Sequence, residues 1–440
     1  MLPQTIAVIG SGISGLSAAW LLSQRHHVIL IEASQKLGGH SNTVNCQVPE
    51  GEIAVDAGFI VYNDRTYPNL KALFEYLEVP TSASHMGFAV SLKSGQSEYA
   101  GASASSLLGH ARNLFDLGHL RMLRDLVRYF RNAAIQGADL NDDITLGQFL
   151  SMHGYSQDFV QRHLLPMAGA IWSCEPEQML DYPATCFLRF SENHGLLNFY
   201  DRPQWRTVMG GSVEYINRLV ADSRMRILTK CRINRVERSD HQVTLFGRDG
   251  YCERFDSVVI AAHADQALAM LAEPSDAERK GLSAFSYARN SAVLHCDESL
   301  MPKRKKLWSS WNYVDGSVTY WMNALQPLAT KTNIFVTLNP RREPLASKTM
   351  QRFAYDHPSF SAETSRAQKN LWSLQGVNRT WFCGAHFGAG FHEDGLQAGL
   401  AVAEQLGGVL RPWNLAQPDS RIHVTVPSSV AIRQFLEAAE

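Results

Sequence analysis

The sequence predicts an α/β protein whose central domain is a parallel sheet assembled from separated stretches of chain. Three observations carry this: two short apolar runs at 5–10 and 27–31, a glycine-rich turn directly after the first, and an acid closing the second. Apolar runs of this length, without polar alternation, suit strands buried on both faces.

Thr5-Ile-Ala-Val-Ile-Gly10 reads as the first strand. Gly10-Ser-Gly12-Ile-Ser14-Gly15 follows at once, and Leu16 to Gln24 reads as a helix. His27-Val-Ile-Leu-Ile31 is the second strand, ending in Glu32, 22 residues after Gly10. Each part has a physical task. Gly10 permits a tight turn, Gly12 lets backbone approach a pyrophosphate, and Gly15 lets the helix pack near the strand. The helix N-terminus, with Ser14 in the turn before it, offers free N–H groups to the anion, and Glu32 can accept from ribose hydroxyls. Strand, glycine turn, helix, strand and acid in this order predict a Rossmann-type dinucleotide-binding unit.

Composition bounds the remaining possibilities. Of 440 residues, 45% are hydrophobic and 19% charged, which excludes a disordered chain, a collagen-like repeat and a coiled coil. Lys plus Arg (41) nearly balances Asp plus Glu (42), so the net charge of −1 gives no global field for nucleic acid. The seven cysteines, at 46, 174, 186, 231, 252, 296 and 383, are scattered and never form CxxC. That is the usage of a reducing compartment, with no disulfide framework and no metal-ligand spacing. Thr5 to Leu22 is uncharged, but no Lys or Arg precedes it, and Gly10, Gly12 and Gly15 interrupt it, against a signal peptide or a membrane span. A soluble cytoplasmic protein is expected.

After Glu32 come Lys36-Leu-Gly38-Gly39-His40 and Val55-Asp56-Ala-Gly58-Phe59. Here the chain resembles the flavin-containing amine oxidase superfamily, which includes monoamine oxidases, protoporphyrinogen oxidase and phytoene desaturases. The resemblance implies FAD as cofactor, with Gly38 and Gly39 beside its pyrophosphate. The family's usual Arg is His40 here, an imidazole mostly neutral near pH 7.

Two further segments extend the resemblance. Trp381-Phe-Cys-Gly384 reads as a last buried strand, and Gly388-Ala-Gly390-Phe391-His392-Glu393-Asp394-Gly395-Leu-Gln-Ala-Gly399 opens a helix expected over 396–406. In the superfamily this turn approaches the flavin pyrimidine and ribityl chain, implying roles for Gly384, Gly390, Phe391, His392 and Glu393. A helix N-terminus suits the negative charge of a reduced flavin. Gly210-Gly211-Ser212 precedes a helix at 213–221, followed by Arg226-Ile-Leu, the strand Ile233-Asn-Arg-Val236-Glu, its hairpin partner Gln242–Phe246 and a buried strand at 256–262. The resemblance places the backbone of Val236 against the adenine.

The expected organisation is a discontinuous FAD-binding domain (1–75, 209–285 and 376–412) with an inserted α+β substrate domain (76–208 and 286–375), amine-oxidase-like in plan. Residues 413–440, with Pro418 and Pro427, are expected to form an irregular extension with a short helix at 429–438. Ser317-Val-Thr-Tyr-Trp-Met322 and Asn333-Ile-Phe-Val-Thr-Leu338 are the clearest strands of the second insert. No second GxGxxG with a following acid occurs, so a separate NAD(P)H domain is not expected.

For the chemistry, four readings stand. An amine oxidase usually carries a Lys on a strand of the second insert, and the comparable Asn290-Ser-Ala-Val-Leu-His295 has none; nor is there a Ser-Gly-Gly-Cys for covalent flavin attachment. Closer in detail, Gly39-His40-Ser-Asn-Thr43, Ala170-Ile-Trp172-Ser173, Ser310-Trp311-Asn312-Tyr313, Thr319-Tyr-Trp-Met-Asn323, Thr337-Leu-Asn-Pro340 and Gly390-Phe-His-Glu-Asp-Gly395 resemble a bacterial flavoprotein branch described as NAD/FAD-binding proteins. A relative of that branch is fused to plant cyclopropane fatty acid synthases, which implies dehydrogenation of a fatty acyl chain of membrane lipid. The third reading is a carotenoid- or porphyrinogen-type oxidase or desaturase, and the fourth a flavin-binding protein without turnover.

Two features bear on partners. Residues 111–135 read as one basic amphipathic helix, with Arg112, Arg121, Arg124, Arg128 and Arg131 around Leu114, Leu117, Leu120, Leu123, Val127 and Phe130. Lys303-Arg-Lys-Lys306-Leu-Trp308 adds a second basic cluster. Such patterns can lie on anionic lipid, or be solvated faces of an ordinary fold. Trp172, Trp308, Trp311, Tyr313, Tyr320 and Trp321 could line an apolar tunnel or be core. His386 and His392 are the titratable candidates nearest the expected flavin turn, and a structural role for each is the more ordinary reading.

Overall fold

The computed structural model describes residues 2–425 apart from 102, 139, 142, 173–175 and 198–202. Ser173, Cys174, Pro427 and the helix expected at 429–438 lie outside the described residues. The chain divides into two compact units, residues 1–39, 218–286 and 363–440, and residues 40–217 and 287–362.

The first unit is built on a five-stranded sheet in the order Arg226–Leu228, His27–Ile31, Thr5–Ile9, Ser257–Ile260, Thr380–Phe382. All four pairings are parallel. The apolar run Thr5–Ile9 is central, paired on both edges and buried beyond its first residue, as its lack of polar alternation requires. The helix Ile13–Leu22 is buried at every position, because it is apolar or small all round. It fits so tightly through glycine. A Cβ at Gly15 would stand 1.9 Å from the Gly10 carbonyl oxygen, and one at Gly399 would stand 2.2 Å from the Ser14 carbonyl oxygen. The helix therefore rests backbone to backbone on the first strand and on the helix His392–Gly407. A small antiparallel sheet, Ile233–Arg238, Val243–Gly247 and Cys252–Phe255, completes the unit.

The second unit has a seven-stranded mixed sheet in the order Thr349–Ser359, Ser286–His295, Phe335–Leu338, Ser317–Trp321, Trp311–Val314, Phe88–Leu92, Ser97–Ala100. Its core includes Val90, Leu294, Tyr320 and Val336, and a second, helical core gathers Leu126, Phe149, Phe159 and Phe187.

The division differs from the one expected. Residues 40–75 and 209–217 belong to the second unit, and 363–375 and 413–425 to the first. Two contacts account for the first shift. Val44, Cys46, Ile53 and Val55, from the hairpin Thr43–Val48/Gly51–Asp56, enter the core of the seven-stranded sheet. The buried Asp56 carboxylate accepts from Thr43 Oγ1 (2.6 Å), Ser212 N (2.9 Å), Ser212 Oγ (2.8 Å) and Gln326 Nε2 (2.9 Å). This ties the Gly210-Gly211-Ser212 turn to the hairpin. Gly211, at φ +93°, is required there: a Cβ would stand 2.5 Å from the Thr43 methyl.

The basic segment also differs. Instead of one helix over 111–135 there is a 3-10 turn, Ala111–Phe115, and then a helix, Leu117–Gly137. Asp116 separates them: its backbone is extended, and its carboxylate accepts from Gly118 N (2.9 Å) and His119 N (3.2 Å), restarting the helix as an N-cap. The face turned to the core is Met122, Leu126, Tyr129 and Ala133, so Leu114, Leu117, Leu120 and Val127 are exposed.

The glycine contacts predict a stability change. Gly399→Ala should cost about 1–3 kcal/mol, the range for overpacking a tight interior contact. Equilibrium urea unfolding followed by tryptophan fluorescence checks this, and an unchanged midpoint would mean the two helices have room to spare.

Candidate flavin site

In the first unit the residues expected at the dinucleotide turn are brought together. Gly10 has φ +100°, and a Cβ on it would meet the Ala261 carbonyl oxygen at 2.5 Å, so only glycine makes this turn. Gly12 is different. Its backbone, at φ −64° and ψ 175°, is open to any residue, yet a Cβ there meets no atom within 4 Å. Gly12 thus faces open space at the N-terminus of the helix Ile13–Leu22, where no side chain caps the first-turn N–H groups. Gly39 comes close beside it: a Cβ on Gly39 would stand 3.1 Å from Gly12 Cα.

Glu32 and Ser11 organise this turn. The Glu32 carboxylate accepts from Ser11 N (2.9 Å), Ser11 Oγ (2.6 Å) and Ser34 N (2.7 Å). Gly38 N–H in turn donates to Ser11 O at 3.0 Å. Glu32 is half-buried, and a carboxylate with about four acceptor positions keeps one for a ribose hydroxyl. An uncapped helix N-terminus, a glycine facing empty space and a poised acid fit the adenosine diphosphate part of FAD. The Lys36 side chain is exposed. Val236 has its side chain buried, and its carbonyl accepts from Ala272 N at 3.1 Å. His40 lies in the second unit, its ring 5.1 Å from Tyr355 and 5.2 Å from His357.

The second glycine turn lies beside the first. A Cβ at Gly395 would stand 2.8 Å from Ser14 Oγ, so the first turns of the helices Ile13–Leu22 and His392–Gly407 are neighbours. Two N-terminal dipoles therefore share one neighbourhood. The helix starts at His392, not near 396, because Asp394 Oδ2 accepts from Phe391 N at 2.7 Å and caps it. Gly390 supplies φ +90° just before, and the backbone of Gly384 is extended. Glu393 is buried and accepts from Gln397 Nε2 at 3.0 Å.

Sequence reasoning missed several residues. Arg421, in the extension treated as irregular, donates to both carboxylate oxygens of Asp394 (2.6 and 3.2 Å). Burial raises the Asp394 pKa, while Arg421 and the Phe391 N–H pull it back. Gln368 Nε2 donates to the carbonyls of His386 (2.9 Å) and Gly388 (2.6 Å), bracing the turn. Ser11 was legible in the motif as the polar residue between two glycines; the partners of Arg421 and Gln368 are distant in sequence and left no local signal.

His386 and His392 are both pushed down to about 3, by burial, with a repulsive contribution from His263 at His386. Each is a neutral imidazole at neutral pH, a weak base with no added charge. Cys383 is buried, which raises its thiol pKa. The six aromatic candidates do not form one set. Trp308 packs edge-on to Trp321 and Phe335, Trp311 packs edge-on to Tyr320, and Trp172 stacks on Phe187 in the helical core.

The family model for flavin-containing amine oxidoreductases matches residues 13–323, well over half of the chain. The protein belongs to that family, and FAD is its cofactor. AofH of Mycobacterium tuberculosis, named as a flavin-containing monoamine oxidase, is 27% identical over 261 residues, covering 56% of this chain and 54% of AofH. The chain thus matches about half the length of that curated relative. Among solved structures, a fatty acid isomerase from P. acnes that produces CLA is similar at a TM-score of 0.65 and 16% identity, over 91% of this chain and 97% of its own. Cyclohexylamine oxidase from Brevibacterium oxydans is similar at a TM-score of 0.67 and 17% identity, over 92% and 99%. At these identities the structural likeness establishes the fold.

Two predictions arise from this geometry. Because Gly12 is unstrained and faces space, Gly12→Val should unfold like the parent yet purify without a flavin absorbance band. Glu32→Ala should weaken FAD retention about tenfold or more, as loss of a charged hydrogen-bond acceptor does, and Glu32→Gln should recover part of it. Full flavin occupancy in purified Gly12→Val would remove the turn from the cofactor site.

A third prediction concerns pH. His386 and His392 titrate near 3 when folded but near 6.5 when unfolded, and His295, pushed down to about 4, behaves alike. The unfolded chain therefore binds more protons between these values, so stability falls as pH drops through and below 6.5. Urea midpoints of the apoprotein at pH 7 and pH 5 should show the fall, and His386→Asn should make it shallower.

Proposed function

We propose that the chain is a FAD-dependent oxidoreductase that takes hydride from a hydrophobic substrate, and that this substrate is a fatty acyl chain of membrane lipid. The observation that carries this is a cavity in the second unit. Its described lining sets Trp172, Met179, Tyr182, Ala288, Pro358 and Phe360 beside Gln178, Ser359 and His357, and includes no carboxylate, ammonium or guanidinium. Such walls favour an apolar chain over a charged one. The strand Ser286–His295 carries no Lys, and two of its buried polar members are engaged within the sheet: Asn290 Nδ2 contacts His357 Nδ1 at 2.8 Å, and His295 Nε2 contacts Thr337 Oγ1 at 2.7 Å.

Bound FAD would supply the two-electron acceptor. The chain's own contribution is position and field. Gly12, Glu32 and the uncapped N-terminus of Ile13–Leu22 would anchor the nucleotide, and the first turn of His392–Gly407 would offer its positive dipole end to the negative charge of a reduced flavin. Neutral His386 and His392 leave that dipole end without an added positive charge.

The fatty acid isomerase among the structural relatives supports the acyl reading by its substrate. Amine oxidation is the second reading, favoured by the amine-oxidising names of AofH and cyclohexylamine oxidase. An anaerobic absorbance titration separates the two. Bleaching of the oxidised flavin band by bacterial phospholipid vesicles, but not by primary amines or polyamines, is the expected result. Bleaching by an amine alone would replace the lipid reading with amine oxidation.

A further inference from the structure

We propose that residues 108–135 form a docking surface for an anionic phospholipid membrane. This goes beyond the substrate reading and stands on the surface itself. Among the described residues fourteen large hydrophobic side chains are exposed, and seven of them fall within 108–135. Phe115 (87% exposed), Leu117 (73%) and Leu114 (49%) cluster where the 3-10 turn meets the helix at Asp116, and Ile135 (77%) stands near the helix's other end. Exposed apolar residues scattered singly are ordinary, but a cluster marks a contact surface.

The charge left without an ion-pair partner on this surface is positive. Exposed positions of the helix Leu117–Gly137 include Leu117, Leu120, Val127 and Ile135 alternating with Arg121, Arg124 and Arg131. The helix's single carboxylate, Asp125, is fully buried and accepts from Ser156 N at 2.8 Å. Asp116 is paired with Arg162 (2.7 Å), Arg121 with Asp158 (3.0 Å) and Arg124 with Asp125 (3.1 Å). Arg112 and Arg131 have no ion-pair partner among the described residues. Apolar anchors interleaved with cations, with the neighbouring acids Asp116, Asp125 and Asp158 each held in an ion pair, describe an interfacial helix, where the apolar groups enter the acyl boundary and the cations meet lipid phosphates.

The second basic cluster borders the same ground. His110 Nε2 contacts the Gln96 carbonyl at 3.2 Å, and Arg304 Nη1 donates to the Gly95 carbonyl at 3.0 Å. Both basic segments thus flank the hairpin Phe88–Leu92/Ser97–Ala100, and exposed Lys306 extends the positive field. Charge complementarity favours an anionic membrane over a second copy of this chain, which would bring the same cations face to face.

The test uses the full-length, flavin-loaded protein and a sedimentation assay with no flavin readout, so its failure and the failure of the lipid-substrate reading are distinguishable. Vesicles of phosphatidylcholine alone are compared with vesicles containing phosphatidylglycerol, at low and high salt. Binding is expected only with phosphatidylglycerol and should be reversed by salt. Arg112→Gln and Arg131→Gln should each lower partitioning about fivefold. Phe115→Ser with Leu117→Ser should lower it about tenfold or more, with flavin content and circular dichroism unchanged. Absence of binding, equal binding to both vesicle types, or binding untouched by these exposed substitutions would each overturn the proposal. So would a dimer in sedimentation velocity that is lost in the Phe115→Ser, Leu117→Ser variant, because the surface would then be a contact between copies.

Discussion

The close approach of the helix Ile13–Leu22 to its neighbours is the constraint on which the first unit depends. Gly15 sets it down on the first strand, and Gly395 and Gly399 set the helix His392–Gly407 down on it, at distances where any Cβ would collide with backbone or with Ser14. A single methyl at these points would push apart the elements that carry the site. Because Ser14 and Gly395 lie in the first turns of their helices, the same contact brings two N-termini together. Packing and electrostatics are here one fact, since close helices align their dipole ends on a shared region.

That region concentrates positive potential from backbone alone, and the surrounding side chains are arranged so as not to compete. Helix N-termini usually attract acidic side chains, and Glu393 and Asp394 follow the rule. Both are turned inward and engaged, Glu393 by Gln397 and Asp394 by Arg421 and the Phe391 N–H. The histidines of the turn, His386 buried and His392 half-buried, are held neutral for want of solvation. Glu32 remains half-buried, with acceptor capacity left at the edge of the turn, which is what a ribose requires.

The second unit is fastened by a buried carboxylate rather than by close backbone packing. Asp56 has no cation partner among the described residues, and its lone pairs are filled by hydroxyl, amide and backbone donors from three separate segments. A carboxyl so placed has its pKa raised by burial and holds its neighbours by hydrogen bonding. The same network decides to which unit the residues around 56 and 212 belong.

The sequence by itself determined what is local. The runs at 5–9 and 27–31 are strands, the glycines between them form the turn, and 317–321 and 335–338 are strands, because period and turn chemistry act over a few residues. Only the tertiary structure decided what depends on contacts between distant segments. Residues 40–75 follow the second unit because their hairpin finds its core there. Arg421 reaches Asp394 from an extension that has no periodicity to read. Leu117 and Leu120 are outside and Met122 and Leu126 inside, although all four are apolar, because an N-cap at Asp116 sets the phase of the helix and the core accepts one face of it. Local propensity names the elements, but burial is a property of what lies opposite, and that is set by the fold.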